Sequence, residues 1–236
     1  MKMKLTDLLQ GIQTVAIGGH VRPDGDCIGS TMGLYLYLKE HYPEIQTDLY
    51  LEKIPKAYQI ISCTAEVKSQ ISEEKKYDLF FCLDCGDEER LGFSAPLFEQ
   101  ASKTICIDHH ISNEAFADVN YLVPDASSTS ELVYTLLDIQ KISKASAEAL
   151  YMGIAHDTGV FQYSCTSPKT MEIAAALLRK GIDGSMIIDK TYYEKTYVQN
   201  QILGKALLES MLILKKRCIV SVVTRSDMEF FQARCV

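Results

Sequence analysis

Three acceptor-rich side chains, His20, Asp24 and Asp26, fall within GGHVRPDGDCIGS at residues 18–30, directly after an apolar run. Asp84 ends a second apolar run in YDLFFCLD. Asp108, His109 and His110 end a third in TICIDHH, and Asp157 closes an apolar helical segment in GIAHDTGVF. Carboxylates converging from four segments would repel one another, and would stay protonated or unfold the site unless cations neutralised them. Imidazole and carboxylate ligands without thiolate favour Mn²⁺ or Mg²⁺ over zinc. Two such ions sharing one carboxylate, ~3.5 to 4 Å apart, would make a site for in-line attack on phosphorus. Each residue taken singly also has a structural role open to it. Asp24 or Asp26 could cap a helix after Pro and Gly, His20 could be a hydrogen-bonded loop histidine, and Asp108 could orient a neighbour. Isolated roles explain poorly why all of them fall at successive strand ends.

The elements that must position them follow from the apolar pattern. Residues 14–19, 47–52, 77–84 and 104–108 read as strands, nearly continuously apolar and therefore buried on both faces. Residues 26–42, 128–140, 144–156, 168–180 and 184–214 have helical periodicity. The expectation is an α/β fold, a parallel β-sheet with flanking helices. In open parallel sheets ligands bind outside the carboxyl ends of the strands, which is where the His and Asp residues stand. Near the C-terminus, Lys215 to Arg217 separate two apolar runs and predict a hairpin followed by a helix start.

Composition removes several classes. At 236 residues and 47% apolar content the chain can bury a sizeable core. A formal net charge of -7 argues against sequence-independent binding of long nucleic acid but leaves room for a small anionic substrate held by metal. No secretory signal pattern and no ~20-residue apolar span is present, so the expectation is a cytoplasmic protein that does not enter the membrane. Its eight cysteines then read as reduced, mostly buried thiols. Cys82 and Cys85 form a lone C-x-x-C at the end of a strand, with no second pair for zinc. An odd spacing would turn the two thiols to opposite faces.

The segments HVRPDGDCIGS, LDCGDEERLG, IDHH and GIAHDTGVF occur in the order and spacing of four motifs of the DHH phosphoesterase superfamily, which this chain resembles over most of residues 10–190. DASSTSEL and DKTYYEKTY strengthen a likeness to its bacterial nanoRNase/pAp phosphatase group. The resemblance implies one Mn²⁺ held by His20, Asp24 and Asp84 and a second held by Asp26, Asp84, His109 and Asp157, with Mg²⁺ as a substitute. It implies that His110 acts on the scissile phosphate and that Asp108 orients the imidazoles. The implied substrates are short RNA oligonucleotides, cleaved to mononucleotides, and 3′-phosphoadenosine 5′-phosphate (pAp), cleaved to AMP. The same motifs also serve linear or cyclic dinucleotide phosphodiesterases and inorganic pyrophosphatases, and a chain that only binds metal is a further alternative.

Arg90 and Ser128 are weaker substrate-binding candidates, because Arg90 could form a surface ion pair and Ser127, Ser128 and Thr129 could cap a helix. His156, one residue before Asp157 on a helix, should point away from the metals. The resemblance further divides the chain into a catalytic domain at residues 1–185, a linker helix at 186–209 and, at 210–236, the start of a DHHA1-type substrate-binding domain lacking its glycine-rich motif. An apolar hairpin without the rest of its sheet would favour self-association into a homodimer.

Overall fold

The computed structural model describes residues 4–71 and 75–232, which fall into two compact units, Met1–Tyr192 and Tyr193–Val236. In the first, β1 (Thr14–Gly18), β2 (Gln46–Tyr50), β3 (Leu79–Leu83), β4 (Thr104–Asp108) and β5 (Val119–Leu122) form one sheet in the order β2-β1-β3-β4-β5. Every pairing is parallel. The fold is α/β, as the alternation of apolar runs predicts. Side chains alternate along β3: Leu79, Phe81 and Leu83 join the larger core, whereas Phe80 and Cys82 join a second cluster on the opposite face. The larger core is completed by helices α1 (Leu5–Leu8), α2 (Gly25–His41), α4 (Thr129–Leu136), α5 (Lys144–Asp157) and α6 (Pro168–Leu178), and the second by α3 (Ala95–Gln100). Pairing Gly18 with Cys82 and Leu83 with Ile107 brings the carboxyl ends of β1, β3 and β4 level, so the residues beyond them emerge side by side.

Helices α2 and α5 approach until their backbones touch. A Cβ at Gly29 would lie 2.6 Å from the Ala149 carbonyl oxygen and 2.7 Å from the Gly153 nitrogen. Glycine at that contact lets the start of α2 lie against the end of α5, which brings the Asp24–Asp26 segment to Asp157.

Three local expectations change. Strand β5 was not among the predicted strands: its four residues are only half-buried, so it lacks the apolar run that marks a central strand. The helical pattern at residues 184–214 divides into α7 (Gly184–Ile188), a π-helical turn at Asp189–Tyr193 and α8 (Tyr197–Leu208). A capping box between Thr196 and Gln199 restarts the helix. Cys82 and Cys85 do not face opposite ways. The strand stops at Leu83, Asp84 takes a left-handed φ of 58°, and the turn returns Cys85 to the cluster that holds Cys82. Both thiols are free.

In the second unit, α8 is followed by an antiparallel hairpin of β6 (Met211–Ile213) and β7 (Cys218–Val220), closed around Lys215–Arg217, and by α9 (Arg225–Phe230). None of these four elements contributes a fully buried residue. Among the described residues no helix is long and apolar enough to cross a membrane.

Candidate metal centre

Each side chain of the cluster is aimed by its own element. His20 follows β1. Its Nδ1 lies 2.8 Å from the Val21 carbonyl oxygen, which can only accept, so Nδ1 carries the proton. Nε2 is left facing Asp24 Oδ2 and Asp84 Oδ2, each at 3.6 Å. Asp24 caps α2: its Oδ1 accepts from the backbone N–H groups of Asp26 and Cys27, each at 3.1 Å, and its Oδ2 is thereby turned toward His20. Asp24 thus takes the capping role the sequence allows it while keeping one oxygen turned into the cluster.

Asp26 is fully buried and is gripped by the N-terminus of α4. Thr129 N–H donates to Oδ2 at 2.6 Å and Ser130 N–H to Oδ1 at 2.9 Å. Asp84 stands at the centre. Thr129 Oγ1 donates to its Oδ1 at 3.1 Å, and the same oxygen lies 3.7 Å from His109 Nε2, while its other oxygen faces His20. Its left-handed backbone is uncommon for a residue other than glycine, and it turns this carboxylate off the end of β3. His109 Nε2 reaches Asp157 Oδ2 at 3.0 Å.

Asp108 and His110 form a separate pair. Asp108 Oδ1 accepts from His110 Nδ1 at 2.7 Å and from His109 N–H at 2.8 Å, and Asn113 Nδ2 donates to Oδ2 at 2.8 Å. His110 Nδ1 is also 3.9 Å from Asp84 Oδ1. Three groups of ligand atoms each fit within 4.8 Å: His20, Cys27 and Asp84; Asp84, His109 and His110; and Asp26, His109 and Asp157.

The electrostatics divide the cluster. For Asp24, burial acts upward, but the bond from His20 and the α2 N–H groups prevail and hold its carboxyl at about 2. Burial, reinforced by the charges of Asp84 and Asp157, pushes Asp26 well above the carboxylate range. Asp157 is raised too, by burial and by Asp84. Burial acts downward on His20 and His109, but their carboxylate partners override it, placing His20 far above the usual imidazole value and His109 at about 9. Asp108 raises His110. Burial pushes the Cys27 thiol up to about 12, which leaves a donor set dominated by imidazole nitrogen and carboxylate oxygen. That set fits divalent cations of hard to borderline character, and binding them would relieve the mutual repulsion of Asp26, Asp84 and Asp157.

The remaining candidates stand apart. Arg90 is fixed through its main chain, its carbonyl accepting from Val21 N–H at 2.7 Å and its own N–H donating to Asp87 at 3.0 Å. Ser128 Oγ caps α4 by accepting from Glu131 N–H at 3.0 Å, and Ser127 Oγ donates to Glu131 Oε2 at 2.8 Å. His156 is in none of the three groups. Sequence reasoning missed the Thr129 hydroxyl on Asp84, the two N–H groups on Asp26, the position of Cys27, and Asn113.

Comparison with known proteins gives this arrangement its family. The model of the DHH family, N-terminal domain, matches residues 14–154, more than half of the chain, and the protein belongs to that family. It is 29% identical over 204 residues to the bifunctional oligoribonuclease and PAP phosphatase NrnA of Bacillus subtilis, covering 84% of this chain and 63% of the relative. It is 29% identical to the cyclic-di-AMP phosphodiesterase GdpP of Geobacillus thermodenitrificans, covering 89% of this chain and 34% of that protein. A crystal structure of an exopolyphosphatase-related protein from Bacteroides fragilis superposes with a TM-score of 0.87 at 26% identity, covering 96% of this chain and 70% of the other. The chain thus spans less than two thirds of the length of these two curated relatives.

Proposed function

We propose that this chain carries the catalytic centre of a manganese-dependent phosphoesterase that hydrolyses short oligoribonucleotides to mononucleotides and pAp to AMP. The observation that carries the reading is Asp84, whose two oxygens are divided between His20 at 3.6 Å and His109 at 3.7 Å, the disposition a shared carboxylate needs. His20, Asp24 and Asp84 would hold one cation, and Asp26, Asp84, His109 and Asp157 the other. Bound there, the cations would supply charge neutralisation and Lewis-acid polarisation of phosphate and water.

The chain's own residues do the rest. Asp24 and His110 are the most accessible members, with side chains 59% and 35% accessible, so the phosphate approaches from their side. Asp108 holds the Nδ1 proton of His110, itself fixed by Asn113, and leaves Nε2 to serve the substrate. Because Asp108 raises its affinity for a proton, His110 can donate one to the leaving oxygen. The N–H groups of Thr129 and Ser130 hold the Asp26 carboxylate group in place.

The likeness to the Bacillus subtilis oligoribonuclease and PAP phosphatase supports these substrates. The likeness to the cyclic-di-AMP phosphodiesterase favours a second reading, cleavage of linear or cyclic dinucleotides. Phosphate and mononucleotide release from pAp, pApA, short RNA, cyclic di-AMP and pyrophosphate with Mn²⁺ separates the two. Turnover confined to cyclic di-AMP or pApA would replace the first reading with the second, and turnover of pyrophosphate alone would overturn both.

A further inference from the structure

The segment DKTYYEKTY contributes nothing to the cation cluster directly, yet the structure joins its first half to the residue beside Asp157. His156 Nε2 lies 2.9 Å from Thr191 Oγ1, and Thr191 Oγ1 donates its only proton to the Ile187 carbonyl oxygen at 2.7 Å. Thr191 must therefore accept from His156, which fixes the Nε2–H tautomer. The imidazole is held edge-on by two more rings, Tyr58 and Tyr192, each with a centroid separation of 5.3 Å.

The ring rests on the backbone that carries the first carboxylates. A Cβ at Gly25 would come within 2.1 Å of His156 Cγ, so glycine is what admits the ring. Gly25 separates Asp24 from Asp26, and His156 itself precedes Asp157. Beyond the backbone contact at Gly29, this side chain therefore packs between the start of α2, with two carboxylates, and the end of α5, with a third. The π-helical turn Asp189–Tyr193 presents Thr191 to it.

We propose that Thr191 and His156 form a brace, acting as positioning residues that fix the spacing between the Asp24–Asp26 segment and Asp157. The inference rests on the two-cation reading above. Neither residue is among the three groups of candidate ligand atoms.

Calorimetric Mn²⁺ titration of the full chain tests it, with thermal unfolding of each metal-free variant alongside. Thr191→Val, which keeps the shape and loses the acceptor, should weaken binding about tenfold, the lower end of the loss seen when a ligand's supporting partner is removed. Thr191→Ser should restore wild-type affinity. Lowered thermal stability with unchanged Mn²⁺ affinity would mean a merely structural contact and would overturn the brace, as would equal weakening in Thr191→Val and Thr191→Ser. Should Thr191→Val fail to fold, His156→Gln, whose amide can donate from the same position, must bind more tightly than His156→Phe. Equal binding by those two overturns the proposal. A wild-type chain that binds no Mn²⁺ defeats the two-cation reading itself, whereas a wild type that binds with variants unaffected defeats the brace alone.

Discussion

The two halves of the cluster meet at Asp84 but are built and charged differently. The His20 half is local: His20 and Asp24 lie four residues apart, and the bond from His20, joined by the N–H groups of the helix that Asp24 caps, outweighs burial and holds the carboxyl at about 2. The His109 half is assembled from α2, β4 and α5. Its carboxylates Asp26 and Asp157 are both pushed upward by burial and by the Asp84 charge. The first half can stand as an ordinary capped loop, whereas the second has more negative charge than its own donors offset and depends more on a cation.

The largest effect should come from the residue the halves share. Asp84→Ala should lose metal from both and reduce turnover to background, whereas Asp157→Ala should empty mainly the His109 half; inductively coupled plasma mass spectrometry reads the occupancy. Retention of one full equivalent by Asp84→Ala would show that the halves are independent. Next in size are the two adjacent histidines. His110→Asn should cut turnover by about 10² to 10⁴, the usual acid-base contribution, with metal content unchanged. His109→Asn should lose metal. The opposite pattern would exchange their roles.

A smaller effect tests how the second half is held. Thr129→Val removes the hydroxyl on Asp84 and keeps the N–H on Asp26, so Mn²⁺ affinity should fall by about 10- to 100-fold, and Thr129→Ser should recover it. The proton balance sharpens the same contrast. A cation at the second half must displace the proton of His109, which is held to about 9. Apparent affinity there should weaken as pH falls below that value, and titrations in buffers of different ionisation enthalpy should show proton release. Binding that is independent of pH between 6 and about 9 would remove His109 from the ligand set.

How much of this was legible in the sequence follows the same division. Side chains announce themselves by type, so His20, Asp24, Asp26, Asp84, His109 and Asp157 could be picked out wherever an apolar run ended. The grip on Asp26 could not, because backbone N–H groups of Thr129 and Ser130 carry no residue signature. Their only trace is a Ser-rich helix start, which reads equally well as capping. Cys27 was hidden differently: its closeness to His20 depends on how α2 leaves the loop. The central strands were readable as continuous apolar runs, while β5, half-buried at the sheet edge, was not. The paired thiols Cys82 and Cys85 were misplaced because strand periodicity does not foresee a left-handed residue at Asp84.

The smallest expected effect concerns what anchors α4, whose N-terminal N–H groups grip Asp26 of the second half. Glu131 is 2% exposed, accepts from Ser127 and Thr170 at 2.8 and 2.7 Å, and pairs with Lys169 at 2.9 Å. Burial acts to raise its carboxyl, but Lys169, Thr170 and Ser127 together bring it below the ordinary glutamate value of 4.5. A group held below its unfolded value stabilises the fold above that value, and the contribution is lost as pH falls through the folded one. Glu131→Gln should therefore cost about 1 kcal/mol at neutral pH, the scale of one hydrogen bond, or roughly 2 to 4 °C in melting temperature. The gap from wild type should close as pH drops below about 4.5. Because the α4 N–H groups hold Asp26, the variant should loosen metal at the His109 half before the other, which stepwise Mn²⁺ titration resolves. Equal loosening of both would mean that α4 supports the whole cluster and that the division between the halves is one of charge alone.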